Sequence, residues 1–426
     1  MKTMIIKEEK NIRQLFSENY KYVFNTLNGS FARWGKTQED DPDMSIYGPE
    51  IADIEITEIC NGIRLDAHDP NSPRQVCKFC YKANTPQNTN NMSFETFKKL
   101  FDNLCSRKAF EITVEQSDKP LTLFYNQKVP YKGEERYIQD VFDEIIELGK
   151  LKLPIIKKEK VIKPWKVLTQ IAFGADAQAI ANPDLWKMMD YCRNNPYNLV
   201  VPNITVADID DEVADKLAKH CGAVAVSCYM HQNKDCCYES VKKLTDRGMK
   251  QCNIHMMISE ESYEDTLELF DDVKKDERLK GLNAVVLLSL KQKGRGVSYN
   301  SLSIDKFKTL VDVAFENKIG LGFDSCSCFK FLESVKERDN YKELYEMSEP
   351  CESSLFSSYI NWKGDFYPCS FTEGEKCENN DWTTGISTTT CKDFLTDVWH
   401  HPKTQITRNE ILQGRKQCKS CFHYNV

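Results

Sequence analysis

The stretch IADIEITEICNGIRLDAHDPNSPRQVCKFCY, residues 51–81, decides how the rest of the chain is read. Ile51, Ile54, Ile56 and Ile59, set among acidic residues and threonine, have the β-branched character of a short strand. The strand runs into Cys60, where a loop opens that closes on Cys77, Lys78, Phe79 and Cys80. Thiolates delivered at the carboxyl end of a buried strand suit a soft metal. A CxxC pair by itself equally describes a zinc knuckle or two inert core cysteines, so the surrounding pattern has to choose.

Downstream, residues 92–104 carry Phe94, Phe97, Leu100, Phe101 and Leu104 at helical spacing, with Ser93 placed as the N-cap. From residue 167 onward strand-like runs (167–173, 199–206, 223–228, 251–259, 282–290) alternate with helical ones (184–194, 211–220, 239–247, 262–274). With the opening strand these make six βα units, the pattern of a parallel sheet closed fully or partly into a barrel. Such sheets hold their chemistry at the carboxyl ends of the strands, which is where Cys60 falls. The same rule nominates Gly174, Ala175 and Asp176, then Asn203 and Thr205, Ser227 and Cys228, Asn253 and His255, and Leu288 and Leu290 ahead of KQKGRG at 291–296. Small residues at 174–175 let a ligand approach the backbone, and Asp176 can accept hydrogen bonds from an amine. His255 taken alone reads as a satisfied core imidazole rather than a ligand.

Residues 105–166 interrupt this alternation with strand-like runs at 110–114 and 121–129, a helical run at 137–151 and the basic KKEKVIKPWK at 157–166. They read as an inserted subdomain, either a solvated decoration or a lid or docking element. Residues 1–50 form an N-terminal extension, with an amphipathic helix expected over 11–25 and a polar loop over 36–50. The extension is too short for a dedicated leader-peptide recognition domain. The barrel then occupies 51–300, and 301–426 form a separate C-terminal module.

A chain of 426 residues with 41% hydrophobic content can bury one large core and a satellite. A net charge of −7 argues against nucleic acid as the main partner. The first twenty residues lack a signal-peptide core and no segment has a spanning helix's apolar run, so the reading is a cytoplasmic protein with no membrane partner. Eighteen cysteines at short local spacings then point to metal ligands and buried thiols rather than disulfides. Cys105, Cys192, Cys221 and Cys252 lie in contexts where a thiol acts as a small hydrophobe.

With these residues in view the chain resembles the radical S-adenosylmethionine (radical SAM) enzymes. Their cluster motif is CxxxCxΦC, with Φ aromatic, and Cys77, Phe79 and Cys80 reproduce its second half, with Cys60 in the place of the first ligand. Sixteen residues separate Cys60 from Cys77 where the family has three. The segment Gly174, Ala175, Asp176, Ala177 looks like the family's GGEP turn. At the carboxyl end, Cys351, twelve residues, Gly364, four residues, Cys369 is similar to the opening of SPASM and twitch domains, with NWKGDFY at 361–367 as its hairpin. Cys418 and Cys421 close that set.

The resemblance implies an α/β fold: a partial (β/α)6 radical-SAM barrel with an inserted subdomain and a small C-terminal twitch-like cluster domain. It implies two [4Fe–4S] clusters, one on Cys60, Cys77 and Cys80 and one on Cys351, Cys369, Cys418 and Cys421; structural zinc is the alternative for the second. S-adenosylmethionine would lie along Phe79, Gly174, Ala175, Asp176, Ser227, Asn253 and Leu288. Asp324 is the candidate base and Cys326, or its neighbour Cys328, the candidate hydrogen-atom donor, all in IGLGFDSCSC at 319–328. The implied activity is hydrogen abstraction by a 5′-deoxyadenosyl radical from a peptide or protein, with an external donor such as flavodoxin or ferredoxin. A small alcohol or aminocyclitol is the alternative substrate. An iron–sulfur electron carrier or a zinc-stabilised binding protein is the non-enzyme alternative.

Overall fold

The computed structural model describes residues 5–417 apart from 70, 106, 114–120, 125–127, 139–140, 143, 145–156, 175–177, 195–198 and 378. The chain opens with β1 (Ile5–Glu9), β2 (Ile12–Phe16), β3 (Lys21–Asn25) and β4 (Phe31–Trp34), paired in sequence order into an antiparallel sheet. The helix expected over 11–25 is therefore replaced by two strands. Burial alternates along both, with Arg13, Leu15, Tyr22 and Phe24 inward, which is a period of two. Arg13 hides that period because it is a charged residue at an inward position. It donates to the carbonyls of Leu168, at 2.8 Å, and Leu199, and so ties the sheet to the chain entering two barrel strands. Leu15, Tyr20, Tyr22 and Phe24 pack with Val167, Val201, Leu355, Phe356 and Ile411 in a second core.

Next come β5 (Ile51–Ile54), a hairpin of β6 (Ile63–Arg64) and β7 (Arg74–Gln75), and α1 (Phe94–Asn103). Helix α1 begins where expected: Ser93 accepts a hydrogen bond from the Thr96 amide, and Phe97, Leu100 and Phe101 form the buried face. Each such fully buried side chain contributes about 1.5–3 kcal/mol of transfer free energy. Residues 107–165 supply β8 (Arg107–Thr113), β9 (Leu121–Phe124), the pair β10 (Lys128–Tyr131) and β11 (Glu134–Tyr137), and β12 (Lys157–Trp165); β8 is central between β9 and β12. The helix expected over 137–151 lies largely outside the described residues, and Tyr137 itself ends β11.

From here strands and helices alternate as expected. They are β13 (Gln170–Phe173), α2 (Leu185–Arg193), β14 (Val201–Val206), α3 (Asp211–His220), β15 (Ala223–Cys228), α4 (Lys234–Asp246), β16 (Gln251–Ile258), α5 (Tyr263–Lys275), β17 (Ala284–Ser289), α6 (Ile304–Glu316) and β18 (Leu321–Phe323). After α7 (Cys328–Val335) and α8 (Tyr341–Glu346) come β19 (Ser357–Ile360), β20 (Asp365–Tyr367), the pair β21 (Lys376–Cys377) and β22 (Asn380–Asp381), β23 (Ile386–Ser387) and α9 (Pro402–Gln417).

One sheet organises the molecule, in the order β18-β17-β16-β15-β14-β13-β5-β19-β20-β23. Every pairing from β18 through to β19 is parallel, and β20 and β23 add antiparallel. The parallel part is an open barrel wall of six expected strands, extended by β18. The C-terminal module is not merely appended, because β19 pairs along the whole of β5, Tyr359 beside Asp53. The hairpin expected at 361–367 joins β19 to β20, with Gly364 at φ +85° in its turn. The strands alternate cleanly where helices cover one face: β16 buries Cys252, Ile254, Met256 and Ile258, while Asn253, His255 and Met257 face the barrel interior. Cys105, Cys192, Cys221 and Cys252 are all buried. No described helix is long and apolar enough to cross a membrane.

Candidate active site

The sixteen residues between Cys60 and Cys77 fold back on themselves. β6 and β7 pair Ile63 with Gln75 and Arg64 with Arg74, so the two ends of the loop return to one place. Gly62, at φ +73°, lets the strands meet, since an added Cβ would lie 2.6 Å from the Gln75 carbonyl carbon. Its carbonyl accepts from Gln178 at 2.6 Å and from Arg74 at 3.1 Å. Asp208, just beyond β14, holds Arg64 at 3.2 Å and Arg74 at 2.7 Å. The long spacing is thus a hairpin clamped to the barrel rim, and it sets Cys60 beside Cys77.

A second strap holds the CxxC turn. Arg295 donates from Nε to the Cys77 carbonyl at 2.8 Å, from its backbone amide to the Cys80 carbonyl at 2.9 Å, and from Nη2 to the Asn84 carbonyl at 3.2 Å. The flanking glycines allow this approach: a Cβ on Gly294 would sit 2.3 Å from the Tyr81 oxygen, and one on Gly296 3.1 Å from the Phe79 oxygen. Sequence reasoning noticed the KGRG segment without assigning it this task. Its signal was an arginine between two glycines directly after a barrel strand.

Cys60, Cys77 and Cys80 are free thiols lining one cavity. Burial pushes the Cys60 thiol up, and it pushes Cys77 up to about 11 against the lowering effect of a hydrogen bond from Tyr229. Both cysteines also feel neighbouring thiolates, Cys60 that of Cys80 and Cys77 those of the other two, so the three converge. Such a trio becomes a stable set of thiolates when a cationic metal group offsets the charge. Among the described residues no three His, Cys, Asp or Glu side chains are placed to hold one metal ion. A single ion needs all its sulfurs within about 2.3 Å, whereas a cluster spreads them over several irons. Three converging soft donors fit an iron–sulfur cluster.

The cavity has a volume of about 520 Å³. Phe79, Gly174, Ser227 and Leu288 line it, while Ala175 and Asp176 lie outside the described residues. Phe79 packs against Tyr229, ring centres 5.1 Å apart. Asn253 is not among the lining residues: its side-chain oxygen accepts from Asn283 at 2.8 Å, and the next inward residue of β16, His255, takes the cavity position. Asp324 and Cys326 line the wall formed after β18. The Asp324 carboxylate accepts from Lys291 at 3.0 Å, from the Ser289 amide at 3.4 Å and from the Ser327 hydroxyl. Burial holds His255 neutral, its value lowered to about 4, although Asp324 pulls it the other way.

Cys351, ahead of β19, and Cys369, after β20, line the same cavity. Cys418 and Cys421 lie outside the described residues, so the structure describes two of the four cysteines expected to act together there. Cys391 donates to the Thr388 carbonyl at 3.1 Å, and the Cys377 side chain is outside the described residues.

No protein-family model matches the chain, and no curated protein matches it in sequence. Among solved structures, Streptococcus suis SuiB bound to precursor peptide SuiA matches with a TM-score of 0.55 at 12% identity, over 95% of this chain and 90% of that one. SuiB bound to S-adenosylmethionine matches with a TM-score of 0.54 at 12% identity, over 94% and 89%. The likeness is one of fold. It agrees with the expected architecture, a partial parallel barrel carrying a C-terminal module.

Proposed function

We propose that this chain is a radical S-adenosylmethionine enzyme that modifies a peptide or protein. The observation that carries the reading is the convergence of Cys60, Cys77 and Cys80, three free thiols at the mouth of a parallel barrel, on a cavity large enough for cofactor and substrate groups. These cysteines would hold a [4Fe–4S] cluster, with S-adenosylmethionine along Phe79, Gly174–Asp176, Ser227 and Leu288. When bound, this pair supplies a 5′-deoxyadenosyl radical that takes a hydrogen atom from substrate. Cys351, Cys369, Cys418 and Cys421 would hold a second [4Fe–4S] cluster, and a flavodoxin or ferredoxin would deliver electrons.

The chain's own residues then position and protect. Arg295 and the β6–β7 hairpin fix the cysteine loop, and Phe79 with Tyr229 and Leu288 keep water from the reacting centre. For proton transfer the pair is His255 and Asp324. The Asp324 carboxylate, positioned by Lys291 and Ser327, accepts a proton from substrate, and the His255 imidazole, kept neutral by burial, lies beside it in the cavity wall. Cys326, in the same wall, is the hydrogen-atom donor.

A peptide substrate is favoured because the matching fold over nearly the whole chain is that of a protein crystallised with its precursor peptide. The test offers reduced, reconstituted protein a panel of short peptides and a panel of amino alcohols with S-adenosylmethionine. Peptide-dependent consumption of S-adenosylmethionine with loss of hydrogen from the peptide is expected. Stimulation by the alcohols alone would move the substrate to the small-molecule class.

A further inference from the structure

Asp53 stands apart from every other acidic group around the barrel. It is the inward residue of β5, between Ala52 and Ile54, which are buried against the helices. Protein encloses its carboxylate except where it meets the cavity. Among the described residues it makes no hydrogen bond or ion pair, and burial pushes it up to about 6 with no described cation or donor pulling it back. The neighbouring Glu55 shows the contrast: it accepts from the Tyr359 hydroxyl at 2.9 Å and lies 3.7 Å from Lys82. Lys82 is committed to Glu55 and Glu373, and Lys291 to Asp324. No described cation is left to neutralise Asp53.

A half-buried carboxylate that meets the cavity without a partner is stabilised when a ligand brings the missing charge. The register says where that ligand lies. Asp53 pairs with Ala172 on β13 and with Tyr359 on β19. It therefore sits below the strand ends that carry Cys60 and Gly174, on the strand joining the barrel to the module that holds Cys351 and Cys369. This is the stretch of cavity between the two cysteine groups.

We infer that Asp53 is a substrate-binding residue that receives a cationic group, an ammonium or guanidinium, so that the preferred substrate presents a lysine- or arginine-like side chain to the cavity. The inference rests on the enzymatic reading for the word substrate, but the binding site stands on the carboxylate itself.

The test uses the reconstituted protein with S-adenosylmethionine bound, titrated with n-pentylammonium, n-pentanol and n-pentanoate while the melting temperature is followed. The ammonium is expected to bind at least about tenfold more tightly than the alcohol, as a charge-assisted contact should, and pentanoate to bind least. Asp53→Asn should erase the preference while leaving the affinity for S-adenosylmethionine as it was. Equal response to ammonium and alcohol, or a preference that survives in Asp53→Asn, overturns the assignment. So does weaker S-adenosylmethionine binding in the variant, which would give the carboxylate to the cofactor. The wild-type comparison of the three probes decides the matter even if the variant folds poorly. An ammonium preference in a protein that never cleaves S-adenosylmethionine would sink the proposed reaction and leave this site standing.

Discussion

Replacing Cys77 by alanine is expected to remove about four irons per chain, the content of one cubane cluster, and to bring 5′-deoxyadenosine formation below detection. Cys77 is held on two sides, with its carbonyl fixed by Arg295 and its sulfur facing Tyr229. Without it two thiols remain, too few to retain a cluster that leaves one iron open. The fold should survive, because the β6–β7 hairpin and the Arg295 strap hold the loop through backbone carbonyls that alanine keeps. Cys369→Ala supplies the contrast: it should lose a similar amount of iron from the other end of the cavity and still cleave S-adenosylmethionine. Retained cleavage in Cys77→Ala would show that the reactive cluster sits elsewhere.

Arg33→Met should lower stability by about 3–5 kcal/mol, the usual cost of stripping one partner from a buried ion pair. Arg33 on β4 meets Glu50 at 2.8 Å with both side chains 4% exposed, and its guanidinium lies 3.5 Å from the centre of the Phe356 ring. Glu349 takes the other end of the guanidinium at 2.8 Å, so one side chain joins the N-terminal sheet, the entry to β5 and the C-terminal module. Burial raises Glu50 to about 8 even with Arg33 and the Tyr20 hydroxyl opposing it. A carboxyl raised in the folded state takes up protons on folding, so its contribution weakens as pH rises from about 4.5 towards 8. Loss of Arg33 widens that gap. The deficit, read from urea midpoints, should thus grow as pH rises through and beyond about 8 and shrink below it, where Glu50 is protonated with or without Arg33. Adding Glu50→Gln should restore most of it. A loss independent of both pH and Glu50 would make Arg33 a packing residue.

The barrel was legible because its strands are bracketed by helices with strong periodicity: α3 over Asp211–His220 spans the helical run read there, and its N-cap Asp210 accepts from the Val213 amide at 2.8 Å. The hairpin at 361–367 was legible for the same kind of reason, since Gly364 sits where the turn needs positive φ. The N-terminal sheet was not, because the inward Arg13 breaks the apolar alternation and its partners, the carbonyls of Leu168 and Leu199, lie more than 150 positions away. The Cys60–Cys77 hairpin was missed because its strands are two residues long and depend on Asp208. Local propensity cannot report a contact of that range. His255 and Asp53 were visible as strand residues, but which face of each strand turns inward is decided by the helices that cover the other one. Asn253 was favoured for the cavity position on β16 that His255 occupies.

The central claim is that Cys60, Cys77 and Cys80 make this barrel a radical S-adenosylmethionine site. It is tested most directly by incubating the anaerobically reconstituted, reduced protein with S-adenosylmethionine and measuring 5′-deoxyadenosine. The account predicts its formation in step with loss of S-adenosylmethionine, and none without reductant. Protein that carries its full iron and binds S-adenosylmethionine, yet releases no 5′-deoxyadenosine with or without peptides, would contradict it.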